Sequence, residues 1–79
     1  MGDTHRLLAV WEQPTSVRWR WRTEWYTYHI WYLLDQYVVQ CVGGDEVTNM
    51  DIASSLDDAM RIARSWEVAE RERRKEVAV

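Results

Sequence analysis

The sequence predicts an α+β fold: an antiparallel β-meander followed by one C-terminal amphipathic helix packed on one face of the sheet. Three observations lead there. Between Ser16 and Val42 the residues run in β-prone segments, the first strictly alternating, separated by short polar turns. From Ser54 the apolar residues recur at helical spacing, and no Gly or Pro lies between 45 and 79 to interrupt them. At 79 residues the chain has the length of a single domain, with a small core.

The elements follow in order. His5–Glu12 is apolar, ends before Pro14, and reads as the first strand. Ser16–Arg22 sets Val17, Trp19 and Trp21 against Arg18, Arg20 and Arg22, the period-two signature of a half-buried strand. Trp25–Leu34 is rich in aromatic and β-branched residues, and Gln36–Val42 is another such run, closed by the turn Gly43-Gly44-Asp45. Glu46–Ile52 reads as a fifth strand or an extended connector. The sheet thus has four or five strands over about residues 5–52, and the helix covers about 55–75. Ser54 or Ser55 can cap that helix, with Asp57 or Asp58 as the acidic partner three residues on. Leu56, Ala59, Met60, Ala63 and Trp66 form its apolar stripe, and Glu70 to Glu76 is almost wholly charged.

Turn geometry sorts the strand residues into two faces. A tight turn at Thr23-Glu24 opposes Arg22 to Trp25 and Trp21 to Tyr26, and opposed residues share a face. One face then holds Val17, Trp19, Trp21, Tyr26, Tyr28 and Ile30. A turn at Asp35-Gln36 adds Tyr32, Leu34, Tyr37, Val39 and Cys41, with Cys41 opposite Ile30. The other face holds Arg18, Arg20, Arg22, Trp25, Thr27, His29 and Trp31, with Leu33, Val38, Gln40 and Val42. A simple turn at Pro14 places Trp11, Leu7 and Ala9 on this second face too. The single helix is expected on the first face, which has almost no charge. The second is then left open.

Composition narrows the function. Six Trp and four Tyr are present, but no Phe, so every large aromatic carries a polar handle. Residues 1–34 have four Arg against three acids, 35–60 have six acids and no Lys or Arg, and 61–79 have six basic residues against four acids, leaving the chain at −3. That is not the basic balance of a general nucleic-acid binder. The apolar run Ile30 to Leu34 is far too short to span a bilayer, and the first residues do not resemble a signal peptide, so no membrane association and a cytoplasmic location are expected. A lone cysteine excludes an internal disulfide.

The inventory for catalysis is poor. His5 lies near the terminus, and His29 sits mid-strand on the face opposite Cys41, so a Cys–His dyad is not expected. Cys41 reads as a small buried hydrophobe. Asp45, Glu46, Asp51, Asp57 and Asp58 are accounted for by turn and cap formation and lack the spacing of a calcium loop. No catalytic residue, cofactor or metal is expected.

An open face this apolar usually marks an interaction surface. The first reading is protein binding, to a partner or to a second copy as a homodimer, with Trp11, Trp25 and Trp31 as anchors, Arg18, Arg20 and Arg22 as directional donors, and His29 as a pH-sensitive contact. The alternative is single-stranded nucleic acid, with rings for base stacking and arginines for phosphates. A third reading is structural: the tryptophans fill both sides of a compact core, and arginine stems lie over the rings.

The stretch from Gly43 to Ala63 runs through a glycine turn and a short strand into Ser-Leu-Asp-Asp-Ala-Met-Arg-Ile-Ala. It resembles the strand-then-helix ending of many small proteins of actinobacteria and their phages. It covers about a quarter of the chain. The resemblance implies a small accessory protein that acts by binding another protein, and it identifies no site residue.

Overall fold

The computed structural model describes residues 8–77. Five antiparallel strands form one sheet: β1 Glu12–Thr15, β2 Arg18–Arg22, β3 Thr27–Leu33, β4 Gln36–Gly43 and β5 Glu46–Ala53. Their order in the sheet is their order in the chain. Among the described residues there is one helix, α1 Leu56–Val77, and it packs on one face. The α+β meander is therefore present, and segment 46–52 is a strand.

The first strand departs from expectation. It begins at Glu12 and includes Pro14, whereas His5, Arg6 and Leu7 lie outside the described residues. Proline is tolerated there because β1 is an edge strand. The pairs Glu12↔Arg20 and Thr15↔Arg18 leave one residue too many on β1, which is a bulge at Gln13–Pro14. An extra residue inverts the faces upstream of it. Trp11 consequently lies on the helix side, not on the open face.

Both central turns sit two residues away from their expected registers. Arg22 pairs with Thr27, so the β2–β3 loop has four residues, Thr23 to Tyr26. The Thr23 N–H donates to the Tyr26 carbonyl at 2.8 Å, and the Tyr26 N–H donates to the Thr23 hydroxyl at 3.2 Å. Tyr32 pairs with Tyr37, making Leu34-Asp35 the β3–β4 turn and setting Cys41 opposite Tyr28 rather than Ile30. A shift of two keeps every paired side chain on its expected face. Leu34, though, is a turn residue and almost fully exposed.

The core lies between the sheet and α1. Trp21, Tyr28, Ile30, Val39, Cys41 and Ala53 face Ala59 and Ala63, whose small side chains let the helix backbone approach. Ser55 is the N-cap, its hydroxyl accepting from the Asp58 N–H at 3.1 Å. Asp57 and Asp58 occupy the first turn and Arg74 and Lys75 the last, both matched to the helix dipole. Among the described residues one charged side chain is fully buried: the Glu67 carboxylate accepts hydrogen bonds from the Tyr28 hydroxyl at 2.7 Å and Arg71 Nε at 3.0 Å, with the Thr23 hydroxyl at 3.2 Å. Burial and that hydrogen bond push the Tyr28 phenol far above its usual range.

Candidate functional site: the open face of the sheet

The strand registers arrange the open face in rows running across the strands. One row reads Arg18, Trp31, Val38, Ile52 from β2 to β5. The next reads Glu12, Arg20, His29, Gln40, Met50 from β1 to β5. A third reads Arg22, Thr27, Val42, Val47. A bulge in β5 between Asn49 and Val47 sets Val47 on the same face as Met50. The face is thus divided. Its β1–β2 half carries the charges, and its β4–β5 half is apolar apart from Gln36 and Gln40.

The aliphatic half is uncovered. Ile52 is 56% exposed, Met50 61%, Val47 52% and Leu33 57%. Trp31 sits at the seam, 37% exposed. The Arg18 guanidinium lies 4.9 Å from its ring centroid, and the His29 ring stacks on it at 6.3 Å.

The charged half is only partly neutralised. Glu12 takes Arg20 Nε at 3.0 Å and Arg22 at 3.2 Å, and these two hydrogen-bonded arginines hold its carboxyl below the usual range. Among the described residues no carboxylate pairs with Arg18, and its Nε is buried with no hydrogen-bond partner. His29 Nδ1 is likewise buried and unpartnered. Burial, then the charges of Arg18 and Arg20, hold the His29 imidazole below 6.5.

Of the seven residues expected on this face, the structure brings together Arg18, Arg20, Arg22, His29 and Trp31. It removes two. Trp11 packs on Trp21 at 5.6 Å, because the β1 bulge turns it inward. Trp25 is carried by the four-residue loop to α1, where Arg74 lies 4.3 Å and Arg71 5.9 Å from its ring centroid. Sequence reasoning missed Glu12, Val47, Met50 and Ile52. Met50 and Ile52 alternate with Asn49 and Asp51, a usable signal. Val47 falls out of phase because of the β5 bulge, and Glu12 because of the β1 bulge.

Other chemistry is sparse. Among the described residues no group of three or more His, Cys, Asp or Glu side chains could hold a metal ion. Cys41 is buried on the core side, which pushes its thiol up, and His29 points to the other face. A shallow groove between residues 8–11 and α1, lined by Leu8, Trp11, Met60, Arg61 and Arg64, lies on the helix side. No described helix is long and apolar enough to cross a membrane. Compared with known proteins, the chain matches no family model, no curated protein and no solved structure.

Proposed function

We propose that this chain is a non-enzymatic binding module that docks another protein through the open face of its sheet. One observation carries the reading. Trp31, Val38 and Ile52 form a continuous row, with Leu33 and Met50 beside it and Val47 one row beyond Met50, and α1 lies on the opposite side. An aliphatic strip of this kind gains by leaving water, and a Trp beside an Arg is the usual centre of a protein interface.

The nucleic-acid alternative rests on the Arg18–Trp31 stack. It loses support from the displacement of Trp11 and Trp25, which leaves Trp31 as the one tryptophan of the expected three on this face. The Glu12 carboxylate and the aliphatic half also suit a polyanion poorly.

The test is selection of binders from a displayed random-peptide library against the wild-type chain, followed by rebinding to Ile52→Asp and to Trp25→Ala. Selected peptides are expected to lose Ile52→Asp and keep Trp25→Ala. Binders indifferent to Ile52, or displaced by oligo(dT) in a steeply salt-dependent way, would refute the reading.

A further inference from the structure

The open face carries a second pattern that names its partner's chemistry, and this step rests on the docking role just described. We propose that the face takes an acidic segment of a protein partner, in which a carboxylate reaches Arg18 while aliphatic side chains of the same segment cover Val38, Met50 and Ile52.

The charge distribution is the argument. Three guanidiniums line β2, and among the described residues a single carboxylate, Glu12, shares the face with them. Its two oxygens are engaged by Arg20 and Arg22. Arg18 is left over, its guanidinium 4.9 Å from the Trp31 ring centroid and its Nε buried and unpartnered. Among the described residues no carboxylate answers this guanidinium, and an acidic group brought by a partner supplies the missing charge. A guanidinium already ordered by an aromatic ring loses little further freedom on gripping a carboxylate, and its fork suits two parallel hydrogen bonds. Beside it, His29 adds a second unpartnered nitrogen and no negative charge.

The same row sets a spacing. Arg18 and Val38 are two strands apart and Arg18 and Ile52 three, which is about 10 and 14 Å at the usual inter-strand distance. A helix crossing the strands with an aliphatic residue at one position and an acid two turns away spans about 10 Å, at 1.5 Å per residue. An acidic amphipathic segment therefore meets both halves at once.

A second copy of this chain fits less well. Stacked face to face about an axis along the strands, two sheets lay the arginines of β2 over the aliphatic side chains of β4 and β5. About an axis across the strands, arginines meet arginines. Among the described residues, β5 offers no acid on this face: Glu46 and Asp51 fall on the helix side of the alternation. Neither packing gives Arg18 a carboxylate.

The experiment uses the full chain and two synthetic helical peptides. One carries Leu and Glu two turns apart, and the other replaces every Glu by Gln. Binding is followed by NMR, reading the Arg18 side chain, the Trp31 indole N–H and the Met50 and Ile52 methyls, with sedimentation velocity alongside. The acidic peptide is expected to shift all four signals and to bind at least tenfold more tightly than the amide peptide. Arg18→Gln is expected to abolish that preference, and Arg18→Lys to restore part of it. An unchanged backbone spectrum for both variants excludes unfolding as the cause. Equal binding of the two peptides at Met50 and Ile52 would overturn the acidic partner and leave the docking face standing. A concentration-dependent dimer broken by Ile52→Asp would overturn it in favour of a second copy. Shifts produced by neither peptide but by oligo(dT) would overturn both this inference and the docking role.

Discussion

Removing the buried carboxylate of Glu67 tests the account of how sheet and helix are held together. Glu67 is fully buried and collects Tyr28, Thr23 and Arg71. Glu67→Ala leaves the Tyr28 hydroxyl buried without an acceptor, costing about 1–3 kcal/mol. It also removes one buried methylene, about 0.8 kcal/mol. The Arg71 contact adds little, since that side chain is 46% exposed and returns to water. Relief of the carboxylate's desolvation offsets part of the loss. The expected net cost is about 2–3 kcal/mol, against a total stability of about 4–12 kcal/mol for a chain of this length. Urea unfolding followed by circular dichroism measures it, with an unchanged m value. The decisive comparison is the double variant Glu67→Met with Tyr28→Phe, which removes both polar partners and keeps the volume. It is expected to lie within about 1 kcal/mol of wild type, well below the sum of its singles. Additive singles, or a Glu67→Ala variant that costs less than about 1 kcal/mol, would refute the claim that these groups depend on one another.

Other outcomes follow from the same geometry. Leu34 and Asp35 both have positive φ, at 53° and 65°, a turn that favours Asn-Gly, and Leu34 is 87% exposed. The pair Leu34→Asn and Asp35→Gly is expected to raise stability by about 1 kcal/mol in thermal melts, and a loss would show that the strain is absent. His29 is held below 6.5 in the folded chain, so the unfolded chain binds its proton more readily. The stability this gives is complete above pH 6.5 and is lost as pH falls through the folded value, so urea midpoints should decline on that limb and His29→Gln should flatten it. Trp25→Ala is expected to cost about 1 kcal/mol through the lost arginine contacts while leaving peptide binding unchanged, and weakened binding would return Trp25 to the interface.

Much of this architecture was legible in the residues. The alternation of Arg18 to Arg22 sorts the faces correctly for a two- or a four-residue turn alike, because a register error of two preserves parity, whereas a three-residue turn would have mixed them. The capped start of α1 and its alanines announce both its position and its close approach to the sheet. Bulges are what the pattern conceals. An extra residue at Gln13–Pro14 has no local signature beyond the proline, yet it decides whether Trp11 is an anchor or part of the core. The four-residue loop does the same for Trp25: no residue there demands a two-residue turn, and the Thr23 hydroxyl stabilises the longer one by bonding the Tyr26 backbone. The buried Glu67 was hidden too, for its place in a charged helix gives no hint that a tyrosine hydroxyl waits on the sheet.

The strand order bears on how the chain acquires its shape. Each strand pairs with the one just before it in the sequence, so the sheet can extend hairpin by hairpin without closing a long loop. The contacts that join distant parts belong to α1: Glu67 reaches back 39 residues to Tyr28 and 44 to Thr23. Chain order and topology together make the helix the closing piece. Until it docks, Trp21, Tyr28 and Ile30 lie bare on a sheet whose other side already exposes an apolar half. The interval before closure is when this chain is most open to aggregation, and substitutions in α1 should govern the length of that interval more than substitutions in the strands.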